Sequence, residues 1–132
     1  MPSMIHGIHH LAVYCKGSEN FDEAIRFYRD VLGCSVARSW MSGETRCAMV
    51  DTGAGMLELF SSATAALPAG IFAHLAFATA DTDACIAAVR TAGYEILKEP
   101  FDIVIPSTLP YPARIAFCRG PAGEEIEFFE EK

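Results

Sequence analysis

The sequence predicts an α+β fold made of two copies of one βαβββ unit. Three observations carry the prediction. Two short apolar strands, "GIHHLAVY" (7–14) and "FAHLAFAT" (72–79), each hold a histidine where a core strand ordinarily holds valine or leucine. Each is followed by a segment with helical spacing of its apolar residues. The closing stretches "RCAMVDTGAGMLELF" (46–60) and "RIAFCRGPAGEEIEFF" (114–129) then align almost letter for letter, matching Arg46 with Arg114, Gly55 with Gly123 and Glu58 with Glu127.

The elements follow in order. After the first histidine strand, "NFDEAIRFYRDVLGC" (20–34) sets Ala24, Ile25, Phe27, Tyr28, Val31 and Leu32 at helical intervals, with Gly33 as a stop and Asp22 as a candidate cap. The preceding "KGSEN" (16–20) reads as a connecting loop. In the second half "DTDACIAAVRTAGY" (81–94) is the equivalent helix, capped by Asp81 or Asp83 and stopped at Gly93. "CSVARSW" and "YEILKE" are the strands that follow. "GAG" and "PAG" mark the turns between the last two strands of each half. The whole chain reads as one domain, with module 1 over about residues 5–60, a linker at 61–70 and module 2 at 71–131. Pro106, Pro110 and Pro112 are expected to break any strand ladder in 99–114 and leave an extended loop over one face.

Composition excludes several classes. With 132 residues, 52% of them hydrophobic and 20% charged, the chain is long enough for a real core and too apolar to be disordered. A net charge of −7 argues against nucleic acid and anionic membrane as partners. No apolar run is long enough to span a bilayer, and the N-terminus lacks a signal-peptide core. The five cysteines, scattered and without a CxxC pair, fit reduced buried thiols in a cytoplasmic protein.

Strand alternation gives the histidines a direction. His10, Ala12 and Tyr14 share one face of the first strand; His9, Leu11, Val13 and Cys15 share the other, which is bulkier and should lie under the helix. In the second strand His74 aligns with Ala76 and Ala78. Glu58 lies with Met56 and Phe60, opposite Leu57 and Leu59; Glu127 lies with Glu125 and Phe129, opposite Ile126 and Phe128. Each glutamate thus interrupts an apolar strand as its module's histidine does. A carboxylate there is costly to bury without a partner or a metal. One alternative has each histidine hydrogen-bonded in the core and each glutamate paired with an arginine. The duplication at matched positions favours two imidazoles and two carboxylates around a divalent metal ion, Zn or Ni first, with Mn, Co and Fe also compatible. His6 and His9 have no counterparts in the second module and fall outside this set.

On "IHHLAV", "AIRFYRDVLG", "MLELF", "AHLAFA" and "RIAFCRGPAGEEIEFFEEK" the sequence resembles the vicinal oxygen chelate superfamily, the glyoxalase I, bleomycin-resistance and extradiol-dioxygenase group, over residues 5–131. The resemblance is closest to short bacterial glyoxalase I. It implies a curved mixed sheet around a metal cavity, a metal bound by His10, Glu58, His74 and Glu127, and a homodimer acting on a small-molecule substrate. The implied activity is that of a lyase or isomerase, with proton transfer through a metal-stabilised enediolate. Glu127 or Glu58 would be the catalytic base. One position departs from glyoxalase I: where an arginine commonly follows the first ligand by four residues and holds the glutathione carboxylate, this chain has Tyr14. Arg38, Arg46 and Arg114 are the arginines weighed as substitutes, and all three read as surface residues. Rival readings within the resemblance are a methylmalonyl-CoA epimerase-type isomerase and an extradiol dioxygenase. A metal-free drug-binding protein is the rival outside enzymes, with Trp40, Tyr14, Phe60, Tyr111 and Phe129 as its lining.

Overall fold

The computed structural model describes residues 8–65, 72–106 and 109–132. The chain divides into two compact units, Met1–Ala66 and Leu67–Lys132. His6, the 66–70 part of the expected linker and residues 107–108 of the expected loop lie outside the described residues.

The first unit runs β1 (His10–Lys16), α1 (Gly17–Arg26), β2 (Ser35–Ser42), β3 (Thr45–Asp51) and β4 (Met56–Ala63). Its four strands form one mixed sheet in the order β1-β4-β3-β2, with β1 parallel to β4 and the other pairs antiparallel. The helix begins earlier than expected, taking Gly17–Asn20 into its first turn. Asp22 is not its cap; that carboxylate instead pairs with Arg46 at 2.7 Å. The Lys16 amide donates to the Asn20 side chain at 2.9 Å, which closes the same turn. Past Arg26 the helix widens into a π-helical turn, Phe27–Val31, and the adjacent Phe27 and Tyr28 both become fully buried. Gly33, at φ +80°, ends it in the left-handed region where glycine carries no Cβ penalty.

The second unit repeats the plan with β5 (Leu75–Ala78), α2 (Thr82–Thr91), β6 (Ile96–Ile105), β7 (Tyr111–Arg119) and β8 (Glu125–Glu131). Its sheet order is β5-β8-β7-β6, again with one parallel pair at the first strand. Asp81 caps α2, accepting from the Ala84 amide at 3.0 Å. Thr82 is fully buried beside it, and its hydroxyl donates to the Arg114 carbonyl at 3.1 Å.

The proline-rich segment departs from the expectation of a loop. β6 and β7 form a long hairpin whose register runs from Ile96↔Cys118 to Ile105↔Tyr111 and includes Val104↔Pro112. The ladder tolerates its prolines because of where they sit. Pro100 falls in the register shift between Lys98 and Phe101 on an edge strand, and Pro112 is the second residue of β7.

Each sheet has one face under its helix. In the first unit that face is built from Cys15, Ala48, Val50, Leu57 and Leu59 against Phe21, Ala24, Phe27 and Tyr28, all buried. In the second, Ile126 and Phe128 pack with Ala116, Cys118, Ile86 and Val89. All five cysteines are free. Burial pushes the Cys118 thiol up to about 12, with the Glu124 carboxylate adding to the effect. No helix among the described residues is long and apolar enough to cross a membrane.

Candidate functional site

The sheet face away from each helix carries the histidine and glutamate of that unit. In the first unit the parallel register sets His10 beside Met56 and Ala12 beside Glu58. His10 Nε2 lies 3.5 Å from Glu58 Oε1. In the second unit Ala76 pairs with Glu127, and His74 Nε2 lies 3.0 Å from Glu127 Oε1. The strand neighbours of the two glutamates are the small residues Ala12 and Ala76. The imidazoles are partly exposed, 39% and 38%, while the carboxylates are largely covered, 14% and 10%. Strand alternation accounts for the contrast between neighbours: Leu57 and Leu59 flank Glu58 along β4 and are buried beneath the helix, as Ile126 and Phe128 are beside Glu127.

Two of the arginines weighed against these carboxylates, Arg46 and Arg114, are engaged elsewhere. Arg46 reaches the helix side, where it pairs with Asp22, donates to the Ser18 hydroxyl at 2.7 Å and covers the Phe21 ring at 4.5 Å. Arg114 donates to both oxygens of Asp83 and to Asp102. These guanidinium groups hold the Asp22 and Asp83 carboxyls below their ordinary range. Among the described residues no arginine or lysine pairs with Glu58 or Glu127. Each glutamate oxygen instead faces an imidazole nitrogen, a mixed N/O pair of the kind that binds borderline divalent metals. Among the described residues no three His, Cys, Asp or Glu side chains gather as a metal-holding group; within each unit one histidine is paired with one glutamate.

One residue was missed by the repeat comparison. His9 Nδ1 lies 2.9 Å from His10 Nδ1, with the rings edge to face at 5.2 Å. One nitrogen donates and the other accepts, which leaves His10 Nε2 directed at Glu58. His74 is held differently, its ring edge against Phe117 at 5.6 Å. The only sequence signal for this role is the "HH" doublet, which has alanine at the matching position, Ala73. Gly55 also shapes this end of β1: a Cβ there would meet the Ile8 carbonyl oxygen at 3.2 Å, and the Met56 amide donates to the His9 carbonyl at 3.0 Å.

Residues 7–128 match the family described as the Glyoxalase/Bleomycin resistance protein/Dioxygenase superfamily. The chain belongs to that superfamily. A lactoylglutathione lyase of Haemophilus influenzae is 29% identical, with 86% of each chain covered. Among solved structures, the trypanothione-dependent glyoxalase I of Leishmania major superposes with a TM-score of 0.69 at 22% identity, over 92% of this chain and 84% of that one. TnmS3, an antibiotic-binding protein from a Streptomyces species, superposes equally well, with a TM-score of 0.69 at 20% identity over 99% of this chain and all of that one. At these identities the structural likeness establishes the superfamily fold, which enzymes and binding proteins share.

Proposed function

We propose that this chain is a glyoxalase I-like lyase or isomerase in which His10, Glu58, His74 and Glu127 together hold one divalent metal ion, the pairs drawn from one chain or from both chains of a homodimer. The observation that carries the reading is the repeated His–Glu pair. It stands at equivalent register in both sheets, on the face away from the helix, with no lysine or arginine among the described residues on either carboxylate. A binding protein that traps an apolar ligand has no use for two largely covered carboxylates, which are costly there unless something positive offsets them.

An ion held by His10, Glu58, His74 and Glu127 would supply Lewis-acid chemistry, lowering the cost of deprotonating a C–H beside the substrate's oxygens. The chain's own residues do the rest. His10 and His74 present Nε2, and His10 is oriented through its other nitrogen by His9. Glu58 or Glu127 takes the proton at a carboxylate oxygen and returns it to the neighbouring carbon. The leucines, isoleucine and phenylalanine behind each carboxylate keep water from that side of the sheet.

The 29% identical lactoylglutathione lyase supports a hemithioacetal as the first substrate to assay. Deuterium exchange at the substrate C–H, followed by proton NMR with the metal-loaded protein, tests the reading. Exchange should occur with the parent and fall at least about a hundredfold in Glu127→Gln or Glu58→Gln, the scale of a lost general base. Equal exchange in the parent and both variants would refute it.

A further inference from the structure

The site face of the first unit carries a feature that the four ligands do not use. On the sheet face that carries Glu58, further along β4, a cleft of about 230 Å³ opens among Tyr14, Ser42, Thr45, Cys47, Phe60 and Ser62. Register places these residues on the face that carries Glu58: Tyr14 pairs with Phe60, Phe60 opposes Cys47, and Ser42 opposes Thr45. Phe60 is one alternation along β4 from Glu58, and Ser62 is two. The volume is below that of a pocket for a whole drug-sized ligand, roughly 300 Å³ upward, so the cleft suits one arm of a molecule.

Its lining is neutral throughout. The rings of Tyr14 and Phe60 lie 5.8 Å apart and tilted by 34°, forming a flat apolar wall. Three hydroxyls, on Ser42, Thr45 and Ser62, supply donors and acceptors without formal charge. Arg46 neighbours Thr45 and Cys47 in sequence, yet alternation sends it through the sheet to Asp22. The second unit has a tilted Tyr–Phe pair of its own, Tyr111 and Phe129 at 5.7 Å, but not the three hydroxyls. Its register-equivalent positions are Ala78, Ile103, Ala113, Ile115, Phe129 and Glu131, and Glu131 is taken up by a hydrogen bond from Tyr111. The trio of hydroxyls is therefore particular to the first unit and not something the repeat requires.

We propose that this cleft selects the outer arm of the substrate and takes an uncharged, planar or hydroxyl-bearing group in preference to a carboxylate. The proposal rests on the reading of His10 and Glu58 as metal ligands, since that is what makes the cleft a neighbour of the reaction. A carboxylate placed here would give up water and find no cationic side chain in the lining. A flat neutral group would instead lie against the two rings and exchange hydrogen bonds with the hydroxyls.

Benzyl alcohol and benzoate share a ring and differ in charge. Each is titrated into the full ¹⁵N-labelled chain, with and without added zinc, while the amides of Tyr14, Thr45, Cys47 and Ser62 are followed by NMR. Benzyl alcohol should shift these amides and bind there about tenfold more tightly than benzoate. Tyr14→Arg, and separately Ser62→Arg at another exposed position of the rim, should reverse the order. Benzoate binding as tightly as benzyl alcohol in the parent, or benzyl alcohol leaving the four amides unmoved, would overturn the proposal. The cleft residues are not metal ligands, so the two readings fail separately. A chain that retains no metal but prefers benzyl alcohol refutes the ligand set alone; one that keeps its metal without the preference refutes the pocket alone.

Discussion

Two neighbouring residues of β4 should give opposite phenotypes. Leu59 is fully buried against the helix, with Leu57 beside it and Ala48 opposite. Leu59→Ala removes its packed methyl groups and leaves a cavity that a β-sheet closes poorly, a cost of about 2–5 kcal/mol. That is a large part of the roughly 5–15 kcal/mol that holds a domain of this size folded. It corresponds to a fall in melting temperature of roughly 10 °C. Glu58, one peptide bond away, points to the other face with 14% of its side chain exposed, and it pairs with His10. Glu58→Gln keeps the shape and the hydrogen-bonding capacity, so stability should change by less than about 1 kcal/mol. Metal retention should drop sharply, because a carboxylate ligand has become an amide. Chemical denaturation of both variants, with metal analysis of the same samples, checks the pair. If Glu58→Gln unfolds as easily as Leu59→Ala, or Leu59→Ala costs under about 0.5 kcal/mol, the assignment of faces on β4 is wrong.

Other expectations follow from the same geometry. His9→Ala should weaken metal retention by about 10–100-fold in a chelator competition without abolishing it, as loss of an orienting partner does; His10→Ala should abolish it. Thr82→Val leaves the Arg114 carbonyl without its buried donor and should cost about 1–3 kcal/mol by denaturant titration, while Thr82→Ser should cost much less. The carboxyls of Asp22 and Asp83 are lowered by Arg46 and Arg114, so their contribution is present above the ordinary carboxylate range and drains away as pH falls through the lowered values. A denaturant midpoint followed from neutral pH to about pH 2 should therefore decline, and Arg114→Gln should flatten that decline.

Much of the fold was legible in the sequence because the two modules restate each other. Alternation alone separated Leu57 and Leu59 from Glu58, and Ile126 and Phe128 from Glu127, since one face of each sheet is buried and the period of a strand is two. The capping aspartate of α2 and the glycine stops at Gly33 and Gly93 follow from local chemistry in the same way. Tertiary context decided the rest. Asp22 has the residue type of a cap, but Arg46 lies across from it on β3, and that pairing is invisible to local spacing. The π-helical turn that buries both Phe27 and Tyr28 departs from the regular helical period on which the stripe was read. Of the prolines expected to break the ladder, Pro106 and Pro110 fall between β6 and β7, and only Pro112 enters it, as the second residue of β7. His9 has no counterpart in the repeat. Its contact with His10 belongs to one module only, and comparing copies cannot reveal that kind of feature.

Metal content per chain is the most direct measurement. The purified full chain is equilibrated separately with Ni, Zn, Mn and Fe(II), freed of loose ions and analysed by mass spectrometry. If His10, Glu58, His74 and Glu127 serve one shared site, about one tightly held ion per chain is expected, lost on His74→Ala. Retention of about two ions per chain would mean that each His–Glu pair binds on its own, and retention of none would contradict the metal site altogether.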